Sequence, residues 1–307
     1  MVTLDSVLDS LPGKSVYFVP LGGNNGDALI RMGSHYVFEQ RGISLVPTAA
    51  EAEIAVINGS GGVGVELWSE KLSWMRDLAR RFCNQPMIVL PSAFYFQENN
   101  LAACFVNRTA PAYLFARDQY SYDRIAAQNY PTDVQIGLHD DMAFALRDSP
   151  FLKELKTRVT ARHILLVERF DREATTASPK EIVKMRSARQ YVPRPIKRVL
   201  KKIIHRQRIA SSPFTMTSLD RLYHEAPQFK GLPVMAQDIS STEGFTFEQF
   251  TTAIANAAVV ITTRLHVGIL AALLDKPTYL IAGKSSYQKI RGVYEYSLSN
   301  LPHVHLW

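Results

Sequence analysis

The stretch "AVVITTRLHVGILAALLDKPTYLIAG" (residues 258–283) contains the pattern that decides the fold. A β-branched run leads into a helical stretch that is apolar on every side, and a second apolar run follows. Strand, buried helix and strand in this order predict a parallel sheet covered by helices. Arg264 and His266 stand in the first turn of the helix, where unpaired N–H groups and the positive end of the helix dipole are exposed. This combination predicts a site for a phosphate or carboxylate.

The same alternation of strands and helices runs through the rest of the chain. It begins at "SVYFVPLGG", breaks near "LRDSPFLKE", and starts again at "RHILLVERFD". We therefore predict an α/β protein with two doubly wound Rossmann-like domains facing a cleft, residues 1–148 and 149–307, and a basic insertion at about 176–212. Ligands of such sheets bind beyond the carboxyl ends of the strands. The polar groups expected there are Asn24 to Asp27, Asn58 to Gly62, Arg117 and Asp118, His139 to Asp141, Arg169, and Arg264 to His266.

The composition restricts the class of protein. A chain of 307 residues that is 47% hydrophobic can bury a large core. Its two cysteines are too few for a disulfide framework or a four-thiolate zinc site. The first residues lack a signal-peptide pattern, and no apolar stretch of about 20 residues could span a bilayer. We expect a cytoplasmic protein, at most peripheral on the cytoplasmic face of the inner membrane.

One segment carries most of the positive charge. Residues 180–208 contain eleven Lys or Arg and one acid, a net of +10, which leaves −3 for the rest of a chain of +7. Within it, Ile196, Val199, Leu200 and Ile203 have the spacing of one helix face. A basic amphipathic helix can lie on an anionic membrane surface, and a solvated loop is the alternative. Nucleic acid is not expected as a partner, because no Phe, Tyr or Trp accompanies the charges of residues 195–209.

Each candidate site residue also has a purely structural interpretation. Arg264 could pair with a buried carboxylate, and His266 could merely fill space. Asp27 could be a helix N-cap or a base that accepts a proton from a sugar hydroxyl. Asp118 has the position of a helix cap. His139 with the two acids after it falls short of the three convergent ligands that a metal requires, so no metal is predicted.

Six motifs occur in order over nearly the whole chain outside the basic segment. They are "GNNGDALI", "FARDQYSYDRI", "HDDMAF", "LLVERFDRE", "TTRLHVGILAALLDKPTYLI" and "SYQKIRGVYEYSL". Together they resemble the polysaccharide pyruvyltransferase family. The resemblance implies a fold similar to the GT-B glycosyltransferases. It also implies transfer of the enolpyruvyl unit of phosphoenolpyruvate onto two hydroxyls of a sugar as a cyclic ketal, with release of phosphate and no further cofactor. The acceptor would be a precursor of a bacterial exopolysaccharide or cell-surface glycan, in some cases lipid-linked.

The resemblance also assigns roles to residues. Arg264, Leu265, Arg169 and His139 match the phosphoenolpyruvate pocket, and two arginines suit a donor with a carboxylate and a phosphate. His266 becomes the candidate acid and Asp27 the candidate base. The positions expected on the acceptor side are Asn25, Gly26, Asp118 and Lys289. If Arg264 points at the ligand, Arg264→Ala should abolish donor binding without unfolding the protein.

Two other functions compete with this interpretation. A GT-B glycosyltransferase that uses a nucleotide sugar would share the scaffold, since a fold does not determine chemistry. Such a site would also need a slot for base stacking and an acid that binds the ribose. The third possibility is a scaffold without turnover that binds a glycan or a membrane-bound partner through the basic segment.

Overall fold

A computed structural model describes most of the chain in two compact units. The described residues are 2–11, 13–61, 64–65, 69–96, 100–169, 212–242, 244–283 and 288–307, so residues 180–208 and the amphipathic helix predicted there lie outside them. The first unit comprises Met1–Gly23, Asp27–Ser149 and Arg291–Ser297. The second comprises Asn24–Gly26, Pro150–Ile290 and Leu298–Trp307. Each unit therefore includes a short piece of chain from the other half of the sequence, which the contiguous boundaries at 148 and 149 do not contain.

The first unit is built on a parallel sheet. Its strands are β1 (Ser15–Val19), β2 (Ser44–Leu45), β3 (Ile54–Ile57), β4 (Gly64–Val65), β5 (Met87–Ser92), β6 (Phe94–Tyr95), β7 (Ala112–Ala116) and β8 (Val134–Leu138). Six of them form one sheet in the order β2-β1-β3-β5-β7-β8, while β4 and β6 pair separately. All neighbours are parallel. After β2 the chain crosses to the other side of β1, so the sheet is doubly wound.

Helices cover both faces of this sheet. They are α1 (Leu4–Leu8), α2 (Asn25–Gln40), whose first two residues group with the second unit, α3 (Ser69–Arg81) and α4 (Gln119–Ala126). Alternate residues of β1 enter different cores: Val16 packs with Ile30 of α2, whereas Tyr17 packs with Leu78 of α3. This alternation follows from the pleat of a strand, which points successive side chains to opposite faces.

The second unit contains a five-stranded sheet. Its strands are β9 (His163–Val167), β10 (Val234–Ala236), β11 (Ala257–Thr262), β12 (Thr278–Leu280) and β13 (Val304–Leu306). The order is β10-β9-β11-β12-β13, again with parallel neighbours only. The chain moves from β9 to β10 on one side and then to β11 on the other. The strand order therefore reverses between β9 and β11, which is where such sheets bind ligands. The prediction of an α/β fold with two doubly wound sheets is confirmed.

The helices of the second unit are α5 (Pro150–Thr157), α6 (Pro213–Glu225), α7 (Phe247–Ala255) and α8 (Leu265–Leu273). The helix α9 (Lys289–Val293) begins in the second unit, groups with the first unit from Arg291 onwards, and runs into a π-helical turn at Tyr294–Leu298. A capping box of Thr246 and Gln249 starts α7. Leu222 of α6 belongs to the core on one face of the sheet. On the other face α8 lies so close that a side chain at Gly268 would overlap Leu280 of β12. Within the described ranges we find no helix with the length and hydropathy that a membrane crossing requires.

Candidate anion-binding site

Two threonines join the carboxyl ends of β9 and β11. The Thr262 hydroxyl accepts a hydrogen bond from the Arg264 N–H (2.8 Å) and donates one to the Val167 carbonyl (3.2 Å). The Thr263 hydroxyl accepts from the Arg169 N–H (2.8 Å). The backbones of Arg169 and Arg264 are therefore held beside each other at the point where the strand order reverses. The structure brings these two predicted donor residues together at one sheet edge.

The first turn of α8 begins without a side-chain cap. Arg264 is the N-cap residue, its backbone is extended (φ −105°, ψ 112°), and its side chain makes no capping hydrogen bond. Eight of the nine residues of α8 are buried, and His266 is the exception. The helix thus combines an apolar body with a first turn whose amide N–H groups attract an anion. His266 is the one side chain of α8 with more than marginal access to solvent.

The Arg264 side chain is paired with a buried acid. Its Nε donates to Asp238 Oδ1 at 3.2 Å, and its Nη2 donates to Asp238 Oδ2. Only 10% of the Arg264 side chain and 5% of the Asp238 side chain are exposed. The structure therefore shows the pairing of Arg264 with a buried carboxylate that its structural interpretation predicted. Removing one partner of a buried pair typically costs about 3–5 kcal/mol, so Arg264→Ala would destabilise the protein, contrary to the sequence-based expectation.

Asp238 was not among the candidates from the sequence. It lies two residues beyond β10 and also accepts a hydrogen bond from the Ser240 N–H (3.3 Å). The rule that polar residues follow strand ends applies to "VMAQD" as it does to the other candidates. Applied evenly, that rule would have found Asp238.

Asn25 is anchored inside the second unit. Its backbone N–H donates to the Ser240 carbonyl (2.9 Å), and its side-chain Nδ2 donates to the carbonyls of Ile239 and Phe245 (3.2 Å each). The residue is 2% exposed. Both hydrogens of its amide group are engaged, which argues against the predicted contact of Asn25 with an acceptor.

Gly26 lies directly against His266. A Cβ atom at Gly26 would be 2.7 Å from His266 Nδ1 and 2.8 Å from His266 Cβ, closer than real contacts allow. The Gly26 N–H donates to Asn24 Oδ1 (2.7 Å), and Asn24 precedes the first residue of α2. Asn24, not Asp27, therefore holds the N-cap position. Asp27 is a half-buried acid in the first turn of that helix, and it belongs to the first unit.

The arginine and aspartate at the end of β7 are buried in the first unit. Arg117 Nη1 donates to Asp141 Oδ2 at 2.7 Å, and the two side chains are 1% and 0% exposed. Asp118 is also fully buried and caps α4, where it accepts hydrogen bonds from the N–H (2.8 Å) and hydroxyl (3.0 Å) of Ser121. Burial raises the pKa of Asp118, and the bonds from Ser121 oppose that rise. The predicted cap is present, and its burial argues against contact of Asp118 with an acceptor.

Two predicted residues remain to be placed. His139 belongs to the first unit and is half-buried, with Nδ1 3.0 Å from the Asp140 carbonyl oxygen and Nε2 4.0 Å from an Asp5 oxygen. Lys289 is the first residue of α9 and is buried. In the described part of the chain, no group of three His, Cys, Asp or Glu side chains could hold a metal ion.

A cavity of about 440 Å³ opens at the ends of β9 and β12. Glu168, which follows β9, is 3% exposed and accepts a hydrogen bond from the Ser212 hydroxyl (2.9 Å). The Trp307 ring also lines the cavity and contacts the Tyr279 ring, with centroids 4.2 Å apart. The Arg221 guanidinium lies over the Trp307 ring at 4.5 Å. The cavity therefore combines an acid with an aromatic ring that already contacts a second ring and a guanidinium group.

Comparison with known proteins assigns the sequence to a family. The family model for polysaccharide pyruvyl transferase matches residues 21–285, and these include Arg169, Asp238, Arg264 and His266. The chain belongs to the polysaccharide pyruvyl transferase family. The resemblance that the motifs suggested is confirmed.

Individual relatives are more distant. The protein named "Putative pyruvyl transferase EpsO" from Bacillus subtilis (strain 168) is 29% identical over 160 residues, which are 47% of this chain and 49% of EpsO. The chain thus spans about half the length of this curated relative. A crystal structure of a functionally uncharacterized Klebsiella pneumoniae protein matches with a TM-score of 0.62 and 20% identity, covering 100% of this chain and 99% of that one. This match supports the fold alone. The UDP-GlcNAc 2-epimerase of Methanocaldococcus jannaschii matches with a TM-score of 0.36 and 12% identity over 92% of this chain and 70% of that one, a likeness too weak for any inference.

Proposed function

We propose that this protein transfers the pyruvyl unit of phosphoenolpyruvate onto two hydroxyls of a saccharide as a cyclic ketal and releases phosphate. Membership of the polysaccharide pyruvyl transferase family supports the transfer. The observation that carries the choice of donor is the uncapped first turn of α8, which stands beside Arg169 and Arg264 where the strand order reverses. A carboxylate and a phosphate are the anions that such a turn and two guanidinium groups bind best.

The positive charge of the proposed site comes mainly from Arg169 and the helix terminus. Asp238 offsets the charge of Arg264, so Arg264 contributes directed N–H donors more than net charge. The helix terminus supplies roughly half an elementary charge. Arg169 is only half-buried, which suits a group that meets a ligand. Arg169→Gln should therefore weaken phosphoenolpyruvate binding by about tenfold or more, as expected for one lost hydrogen bond to a charged group.

The reaction requires three proton transfers. A proton goes to C3 of phosphoenolpyruvate, which becomes the methyl group, while the first sugar oxygen attacks C2 and loses its own proton. Attack of the second hydroxyl at C2 then breaks the bond from C2 to the phosphate oxygen and closes the ketal, and the departing phosphate takes up the proton of that hydroxyl. His266 is the proposed proton donor, because it is the accessible side chain in the first turn of α8. Asp27 is the proposed base for the sugar hydroxyl, on the basis of the family motif.

The test is a search for turnover with phosphoenolpyruvate. Phosphate release and loss of the enol phosphate signal would be followed by ³¹P NMR with a panel of saccharides, including lipid-linked ones. Phosphate release that depends on both a saccharide and phosphoenolpyruvate, with a new ketal methyl signal, is the expected result. Binding of phosphoenolpyruvate without release of phosphate in the presence of any of the saccharides would favour a scaffold without turnover.

A nucleotide-sugar glycosyltransferase is the second candidate, and the cavity of Glu168 and Trp307 favours it. A buried acid and an aromatic ring are the two features that a nucleotide site needs. Against it, the Trp307 ring already contacts the Tyr279 ring and the Arg221 guanidinium, so a nucleobase would have to compete with them for the surface of that ring. Thermal stabilisation by a nucleotide sugar that Glu168→Gln removes would establish this second function.

The acceptor is proposed to be an exopolysaccharide or cell-surface glycan precursor, carried on a lipid at the cytoplasmic face of the inner membrane. The support is the sequence of residues 180–208, which lie outside the described residues. Each Lys or Arg near an anionic leaflet contributes roughly 1 kcal/mol, so a few of the eleven could hold the protein there reversibly. Binding to anionic vesicles should weaken with salt and disappear when a Gly/Ser linker replaces this segment. Absence of binding would favour the solvated loop.

A further inference from the structure

We infer that Asn25 and Gly26 are positioning residues for His266, and not part of an acceptor site. The inference rests on the proposed function for the role of His266 in proton transfer. Its basis is a closed ring of contacts within the second unit. The ring runs from Arg264 to Asp238 through their ion pair, from the residues after Asp238 to Asn25, and from Gly26 to His266. His266 is two residues from Arg264 in the sequence, which closes the ring.

The Asn25 side of the ring is fixed by three hydrogen bonds. They end on the carbonyls of Ser240, Ile239 and Phe245, all within the segment that follows Asp238. Asn25 is buried, so water does not compete for these bonds. The position of the Gly26 backbone is therefore set by the same segment that supplies the partner of Arg264.

The Gly26 side of the ring is a steric contact. Gly26 does not have a positive φ angle, so backbone conformation alone would allow other residues. In a helix Ala is about 1 kcal/mol more favourable than Gly, so stability without the contact would favour Ala. An added Cβ would overlap both the ring and the Cβ of His266. Because the overlap includes Cβ, rotation of the imidazole cannot relieve it, and the backbone of α8 or of α2 would have to shift.

This contact restricts the rotamers of His266. A proton donor that is held in one orientation contributes far more than a freely rotating one, and a misplacement of about 1 Å can lower a rate by roughly 10²-fold. The glycine therefore matters for the orientation of the imidazole. We expect its loss to affect turnover more than donor binding, because the first-turn amides and both arginines remain.

The experiment compares Gly26→Ala with Gly22→Ala. Gly22 lies four residues earlier, and a Cβ there would have no neighbour within 4 Å, so it is a matched control. The ring signals of His266 would be recorded by ¹H–¹⁵N NMR and assigned with His266→Gln. Gly26→Ala should shift them and lower kcat by about 10- to 100-fold, with KM for phosphoenolpyruvate changed by less than about threefold. Gly22→Ala should leave all three unchanged.

Asn25→Ala provides a second, independent variant. It removes the side-chain hydrogen bonds that anchor Asn24–Gly26, and it adds no steric overlap. It should move the His266 signals too, and it decides the matter if Gly26→Ala does not fold. Unchanged His266 signals in both variants would overturn the inference. The NMR readout does not depend on turnover. If the wild type does not release phosphate from phosphoenolpyruvate, the proposed function fails while the positioning contact is still tested.

Discussion

The described residues include two junctions of strand, arginine and helix, one in each unit. In the first unit, Arg117 follows β7 and pairs with Asp141, which comes after the neighbouring strand β8. In the second unit, Arg264 follows β11 and pairs with Asp238, which comes after β10. Both pairs are buried, and both arginines stand next to the start of a helix.

The junctions differ in how the helix begins. The first turn of α4 is capped by the carboxylate of Asp118, whereas the N-cap residue of α8 is Arg264 and makes no side-chain cap. Arg117 is 1% exposed and Arg264 is 9% exposed. The acid at the cap therefore distinguishes the two junctions: Asp118 satisfies the first turn of α4, whereas the first turn of α8 lacks a side-chain cap and is the proposed site for an external anion.

The largest effect is expected from replacing His266, the second residue of α8. Tyr120 is the second residue of α4 and serves as the matched control. His266→Gln should lower kcat by about 10²- to 10⁴-fold, the usual contribution of a general acid, with a small change in KM. Tyr120→Phe should leave both constants unchanged. Steady-state kinetics with phosphoenolpyruvate measure this, and equal losses in kcat and affinity would mean that His266 only binds.

Replacing the arginine of each junction by lysine should affect the affinity for phosphoenolpyruvate in only one of the two. Arg264→Lys keeps the charge opposite Asp238 but loses the planar set of N–H donors, so phosphoenolpyruvate affinity should fall by roughly 10- to 100-fold, as for one or two charge-assisted hydrogen bonds. The melting temperature should fall as well, because Lys cannot reproduce both hydrogen bonds that Arg264 donates to the buried Asp238. Arg117→Lys should leave donor affinity unchanged. Thermal shift titrations with phosphoenolpyruvate would measure the melting temperature and the affinity of each variant. Equal affinities of Arg264→Lys and Arg117→Lys would contradict the proposed difference between the two junctions.

A smaller effect is expected from removing the cap of the first unit. Asp118→Ala should lower the free energy of unfolding by about 0.5–2 kcal/mol, the usual value for an N-cap, because the first turn of α4 loses its acceptor. Denaturant unfolding of the purified variant measures it. Phosphoenolpyruvate affinity should stay at the wild-type value, and a loss of affinity would indicate that Asp118 contacts a ligand after all.

The smallest effect is expected for the change with pH in the contribution of Asp118 to stability. Burial raises the pKa of Asp118 above its ordinary value of 3.8. At a pH between these two pKa values, the folded protein keeps a proton on Asp118 that the unfolded chain has released. The contribution of Asp118 to stability therefore falls as the pH rises from 3.8 through the raised pKa. The melting temperature of wild type minus that of Asp118→Asn should decrease across this range. A difference that increases with pH would contradict the assigned shift.

Many of the strands and helices of both units could be predicted from the sequence because their signals are local. The strand, helix and strand of residues 258–283 and the capping box at Thr246 each depend on residues within a few positions of one another. The arginines at strand ends were found for the same reason, since a strand and the residues after it can be recognised together.

The partners across the fold could not be predicted in this way. The bonds of Asn25 to Ile239 and Phe245 span 214 and 220 positions, and no periodicity relates residues so far apart. The pairing of Arg264 with Asp238 depends on β10 and β11 lying on either side of β9, which is a property of the sheet order. The exchange of short pieces such as Asn24–Gly26 between the units follows from the same long-range contacts.

The most direct test of the central claim is a titration of ¹⁵N-labelled protein with phosphoenolpyruvate, followed through the backbone amide signals. The largest shifts should occur at Leu265, His266 and Val267, in the uncapped first turn of α8, while the capped first turn of α4 (residues 119–121) stays unchanged. Saturable shifts that instead centre on Glu168 and Trp307, or no shifts at all, would contradict the assignment of this helix terminus as the donor site.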